Sequence, residues 1–179
     1  MNLELKDIKS KISLLPLEQQ KSMLKLLEDY ETAKEKGLAK KEFLPFVRMM
    51  WSGFIGGPHH EIMAEAFEKV ARGELKRLII NMPPRHTKSE FASYLFPAWF
   101  LGQYPDRKVI QTAHTAELAV GFGRKVRNLI QSEDYQKVFK GIELSTDSKA
   151  AGRWNTNKRG DYFAIGVGGA VTGKGADVL

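Results

Sequence analysis

The sequence predicts an α/β fold, with a parallel sheet flanked by helices and a helical extension at the amino terminus. From residue 75 onward, short apolar runs alternate with longer amphipathic segments, a pattern typical of strands that alternate with helices in a parallel sheet. Before that point the apolar residues recur at helical spacing. The length of 179 residues suits one sizeable core. We therefore predict a main domain at 42–179 and an appendage at 1–41.

The appendage is predicted to be a helical hairpin spanning residues 3 to about 36. Pro16 suits the first turn of its second helix, and Leu17, Leu24 and Leu27 repeat on one side of that helix. Gly37 follows a turn rich in Lys and Glu, which predicts the end of the helix there. The hairpin has little apolar surface, so we expect it to dock on the main domain or on a partner.

Two further helices are predicted before the strands begin. The first has a dense apolar face, made by Phe43, Leu44, Phe46, Val47, Met50 and Trp51. Glycines and a proline then break the pattern. His60 opens the second helix, whose apolar residues keep helical spacing as far as Val70, and Gly73 closes it.

The rest of the chain predicts a strand at 75–81, a helix at 89–101, a strand at 108–113 and a helix at 115–131. Shorter strands are predicted at 153–156 and 162–166, and Trp154 is expected in the core rather than on a surface patch. The glycine-rich run 166–175 predicts a hairpin or connecting loop. Residues 176–179 begin another apolar strand, which predicts a truncated chain.

Composition and charge limit the possible function. The 28 basic and 21 acidic residues give a formal net charge of +7, and the absence of cysteine excludes disulfides and thiolate metal sites. The sequence has no apolar run of membrane-spanning length and no signal peptide at residues 1–10, which predicts a soluble, cytoplasmic protein. A basic excess favours a polyanionic partner such as nucleic acid. A basic surface without such a partner is the alternative.

The candidate site is the stretch 78–89, LIINMPPRHTKS. An apolar strand, a turn and a Lys-Ser pair at a helix start form the layout of a phosphate-binding loop, although Met82 and Thr87 stand where the standard G-x-x-x-x-G-K-[ST] pattern has glycine. Lys88 and Arg85 are the candidate catalytic residues, and Ser89 is the candidate Mg²⁺ ligand. The predicted ATP phosphate site comprises Pro83, Pro84, Arg85, His86, Thr87, Lys88 and Ser89. A solvated basic turn is the alternative.

The run NMPPRHTKSE at 81–90 resembles the variant Walker A loop of bacteriophage large terminase subunits. Four further stretches resemble the same family in the same order: 46–51 with 60–62 before the loop, 112–119 and 122–127 after it, and 166–177 before the expected Walker B strand. The resemblance covers about residues 43–179. It implies a P-loop NTPase-like domain that hydrolyses ATP with Mg²⁺, in a motor that pumps viral DNA into a capsid.

The resemblance also implies double-stranded DNA, a portal protein and a small terminase subunit as partners, and a homo-oligomeric ring that acts in the host cytoplasm without a membrane. Trp51 and His60 are expected near the adenine; a His60 that opens its helix with a cap contact is the alternative. Arg124 and Arg127 share a helical face and are candidates for an arginine finger, with a solvated basic face as the alternative.

Two departures from the family pattern predict a weakly active or inactive fragment. Thr87 is β-branched and resists a left-handed backbone, and the Walker B carboxylates expected beyond Leu179 are missing, as is the nuclease domain that the family carries. A helicase-like ATPase and a non-enzymatic DNA-binding or assembly module are the alternative functions.

Overall fold

A computed structural model describes residues 15–179. The chain divides into two compact units, 1–37 and 38–179. The first helix of the predicted hairpin lies before residue 15, outside the described residues. The helices are α1 (Leu17–Lys41), α2 (Phe43–Met50), α3 (Pro58–Ala71), α4 (Phe96–Gln103), α5 (Ala116–Ile130) and α6 (Glu133–Val138). The strands are β1 (Lys108–Ala113), β2 (Leu144–Ala150), β3 (Arg153–Thr156) and β4 (Asp161–Gly166).

Helix α1 begins after Pro16, as predicted, but continues through Gly37 to Lys41. The predicted end at Gly37 is wrong because the last turn of the helix is held by side chains far along the chain. Ala39 is buried, and its carbonyl accepts a hydrogen bond of 3.2 Å from the indole Nε1 of Trp99. The carbonyl of Lys40 accepts another from the amide of Gln103.

The sheet has four strands in the order β1-β4-β3-β2. Strands β1 and β4 are parallel, whereas β4 with β3 and β3 with β2 are antiparallel. The sheet is therefore mixed, and the expectation of a parallel sheet is wrong for two of its three strand pairs. The connections at 151–152 and 157–160 are tight turns, which join antiparallel neighbours, whereas a parallel pair needs a long crossover. Helix α5 provides part of that crossover between β1 and β4.

The segment 75–81, predicted to be a strand, is not one in the structure. Burial alternates from Leu78 to Met82 as in a strand, and Ile79 is 85% exposed. Among the described residues, no hydrogen-bond partner is found for the backbone of 76–82. The segment therefore has the side-chain alternation of a strand but no neighbour in the sheet.

Aromatic side chains fill the core both among the helices and on the sheet. The ring of Phe43 packs edge-on against Phe67, Phe91 and Phe96 at centroid distances of 5.6, 5.6 and 5.8 Å. Trp154 is buried, which confirms the core prediction, and its ring stacks on Tyr162 at 4.6 Å. The helices predicted around Phe43, from His60 and before Gln131 are confirmed, whereas α6 and β2 were not predicted.

Candidate functional site

The loop 82–89 leads directly into a continuous helical stretch. Lys88 and Ser89 are helical, a π-helical turn follows at Glu90–Leu95, and α4 continues from it. Single π-turns inside α-helices often mark functional sites. The first bond of this stretch runs from the Phe91 N–H to the Thr87 carbonyl, at 3.0 Å. The predicted helix at 89–101 is therefore present, but its first half is wound more loosely than an α-helix.

Two residues of the loop have left-handed backbones. Arg85 has φ 63° and Thr87 has φ 64°. Left-handed residues among right-handed neighbours turn successive N–H groups toward one side, which makes a concave surface that suits an anion. Within the described part of the chain, the N–H groups of residues 85–89 have no hydrogen-bond acceptor. The loop therefore presents a row of free donors.

The left-handed Thr87 is held by hydrogen bonds of its side chain. Its hydroxyl lies 2.8 Å from Nε2 of His60 and donates to the carbonyl of His86 at 2.6 Å. The His86 ring in turn donates from Nδ1 to the Pro84 carbonyl at 2.9 Å. A left-handed backbone costs an L-residue about 1–2 kcal/mol, and these bonds offset part of that cost.

A cleft of about 960 Å³ adjoins this loop. Its lining includes β1 residues 109–112, the unpaired segment 75–80 and residues 176–179, together with Lys88 and Ser89. Val178 forms a parallel bridge with Val109, which confirms that the chain is extended there. Lys88 is half-buried and has no ion-pair or hydrogen-bond partner among the described residues. Its ammonium is therefore available to a ligand in the cleft.

The charge of the cleft lining is mainly positive. Lys76, Arg77 and Lys88 contribute cations, and Asp177 contributes a carboxylate. That carboxylate is already engaged, because Arg107 donates to it at 2.7 Å and the Lys108 N–H at 2.8 Å. Burial acts to raise the pKa of Asp177, but these two donors hold the pKa below its usual value. The excess of positive charge favours a negatively charged ligand.

Aromatic rings connect the upstream candidates to the loop. The ring of Trp51 lies 5.5 Å from Phe54, and Phe54 lies 4.8 Å from His60. His60 is buried and reaches the loop through Thr87. Neither Trp51 nor His60 lines the cleft. The structure therefore brings His60 to Thr87 in the loop and shows its cap contact with the Gly57 N–H, while its predicted nearness to adenine stays a prediction.

Arg124 and Arg127 lie on α5, and neither lines the cleft. Arg124 is exposed, and the guanidinium of Arg127 donates to the side chain of Asn128 at 3.2 Å. Their neighbour Lys125 forms an ion pair of 2.9 Å with Glu90, at the start of the π-turn. A role as arginine finger therefore depends on another subunit and stays a prediction.

Sequence reasoning missed Lys76 and Arg77 as cleft residues. The sequence holds a signal for them, since both lie at the start of the apolar run that leads into the loop. It also missed the contact between His60 and Thr87, for which the sequence holds no local signal.

Within residues 15–146 and 150–179, no three His, Asp or Glu side chains are grouped closely enough to hold a metal ion. The helices of the same residues include none that combines the length and the apolar character needed to cross a membrane. Compared with known proteins, the chain matches no family model, no curated protein and no solved structure.

Proposed function

We propose that this chain binds ATP at the loop 82–89 and serves as the ATPase domain of a terminase-like motor that packages viral DNA. The observation that carries the nucleotide part is the position of Lys88. It is half-buried, unpaired among the described residues and at the first turn of a helix beside the cleft, next to N–H groups with no acceptor. Helix starts with free N–H groups attract phosphate.

The side chains fit a polyphosphate better than they fit a bare metal ion. Lys88 and the exposed Arg85 would grip phosphate oxygens, and Lys76 and Arg77 add to the positive potential of the cleft. For Mg²⁺, the loop offers the hydroxyl of Ser89, so the other ligands would come from nucleotide phosphates and water. Bound Mg²⁺ would neutralise phosphate charge.

The motor part of the proposal rests on the sequence resemblance and on charge. The formal charge of +7 supports DNA as a partner through phosphate contacts. In the motor, the chain would work as one of several subunits around DNA in the host cytoplasm, with the portal protein and the small terminase subunit. A helicase-like ATPase would use the same loop, and a non-enzymatic assembly module would bind DNA without turnover.

Calorimetry with Mg-ATP on the 179-residue chain and on Lys88→Ala tests the nucleotide site. We expect the variant to lose about tenfold or more in affinity, because a charge-assisted contact to phosphate is removed. Lys158→Ala is the matched control: it removes the same charge from an exposed turn between β3 and β4. Equal affinity in the wild type and both variants would refute the phosphate role of Lys88.

Phosphate release, measured in the same samples with and without double-stranded DNA, separates the candidate functions. Turnover stimulated by duplex DNA supports the packaging motor. Stimulation by single strands alone favours the helicase-like ATPase. DNA binding without nucleotide binding favours the assembly module.

A further inference from the structure

The ring of His60 is buried against three neighbouring aromatic rings. His60 lies in the first turn of α3 and is 4% exposed. Its ring packs against Phe54 at 4.8 Å, Phe91 at 5.1 Å and His59 at 3.8 Å between centroids. A ring held in this way can define the place of a group that binds to it.

The hydrogen bonds of His60 determine which nitrogen carries the proton. Gly57 donates its N–H to Nδ1 at 2.9 Å, so Nδ1 must present a lone pair. In the neutral ring the proton then lies on Nε2, which donates to the Thr87 hydroxyl at 2.8 Å. That hydroxyl donates onward to the His86 carbonyl. The bonds therefore run in one direction from α3 into the loop.

Burial first, and then the nearby His59 ring, lower the pKa of His60, so the neutral form is favoured. Near neutral pH, the ring in the folded chain is therefore neutral and carries its proton on Nε2.

The backbone conformation of Thr87 is one that a hydrogen bond from another residue can stabilise. Thr87 lies immediately before Lys88 and has a left-handed backbone, which a β-branched residue resists. The glycine of the standard pattern would adopt this backbone without help. Thr87 instead has a hydroxyl within reach of a buried, oriented donor on another helix.

We propose that His60 is a positioning residue, which holds Thr87 in the left-handed conformation that aims the loop at its phosphate ligand. The inference rests on the proposed function in so far as the loop binds phosphate. The ring itself makes no contact with the ligand: both nitrogens are occupied, and His60 does not line the cleft. In this chain a histidine and a threonine together would replace one glycine.

The test is a double-mutant cycle between positions 60 and 87. His60→Phe keeps a buried ring but removes the donor, and Thr87→Gly removes the need for it. We expect His60→Phe to weaken Mg-ATP binding about tenfold with Thr87 present and less than about twofold together with Thr87→Gly. His60→Gln, which keeps an N–H donor, should recover part of the loss. An equal loss in both backgrounds would overturn the proposal, because His60 would then act without Thr87.

Urea unfolding of the wild type, His60→Phe, Thr87→Gly and the double variant tests the positioning role independently of the proposed function. If the wild-type chain binds no Mg-ATP, the proposed function fails, and the cycle is judged from stability alone. His60→Phe should then destabilise the chain less in the Thr87→Gly background, since only the Gly57 bond remains to be lost. Additive effects of the two changes would overturn the positioning role.

Discussion

Helix α5 contains two glycines that provide an internal comparison for the packing of this helix on the sheet. Gly121 is exposed, and a Cβ added there would have no heavy atom within 4 Å. At Gly123 an added Cβ would lie 2.6 Å from the Ala151 carbonyl oxygen and 3.1 Å from the Tyr162 ring. The Gly123 carbonyl also accepts the indole N–H of Trp154 at 3.2 Å. The same substitution should therefore have opposite effects at the two positions.

Gly121→Ala should raise the free energy of unfolding by about 0.5–1 kcal/mol, because alanine is the better helix former. Gly123→Ala has the same helical gain but forces backbone atoms apart. Overpacking costs about 1–3 kcal/mol, and a backbone contact cannot relax by a rotamer change, so we expect a net loss of about 1–2 kcal/mol. For a chain of this size, each kcal/mol corresponds to about 2–4 °C in Tm.

Urea unfolding and calorimetric Tm, measured on both variants and the wild type, check these values. Gly121→Ala serves as the control for helix propensity. If Gly123→Ala stabilises the chain as much as Gly121→Ala does, α5 does not approach the Ala151 carbonyl and the Tyr162 ring as closely as described.

Two further predictions concern buried polar groups. The Tyr162 hydroxyl is buried with no partner among the described residues, whereas the Tyr135 hydroxyl donates to the Ala98 carbonyl at 3.0 Å. Tyr162→Phe should therefore leave the free energy of unfolding unchanged or raise it, and Tyr135→Phe should lower it by about 1 kcal/mol; equal losses in urea unfolding would contradict this. Because the pKa of His60 is lower in the folded chain than in the unfolded chain, the unfolded chain binds the proton more tightly. The free energy of unfolding is therefore highest above the ordinary pKa of 6.5 and decreases as the pH falls toward the lower pKa of the folded chain. Unfolding measured between about pH 7.5 and 5.5 should show a smaller loss in His60→Gln than in the wild type, and identical losses would refute the role of this proton.

Local sequence patterns predicted the bounds of a helix or strand correctly where those bounds depend on the element's own residues. The bounds of β1 agree with the prediction, and α5 begins after Thr115, whose hydroxyl accepts the Leu118 N–H at 3.2 Å. Capping and periodicity act within a few residues, so they can be read from the sequence. The loop with Lys88 and Ser89 at a helix start was predicted for the same reason.

The predictions that were wrong depend on partners elsewhere in the chain. Helix α1 passes Gly37 because Trp99 binds the carbonyl of Ala39, 60 positions away in the sequence. The apolar run 75–81 has the composition of a strand, but a strand also requires a neighbour, and among the described residues none pairs with it. The composition of the run therefore predicted its alternating burial but not the absence of a pairing strand.

The sequence alone determined that a basic α/β chain carries a strand-like run, a turn and a Lys-Ser pair at a helix start. The tertiary structure decided that β3 runs antiparallel to β2 and β4, and that Lys88 adjoins a basic cleft. It also brought His60 into contact with Thr87, 27 positions away in the sequence. The difference has one physical reason. Helix periodicity and capping are set by neighbours in the chain, whereas strand order and a left-handed threonine are stabilised by groups that only folding brings together.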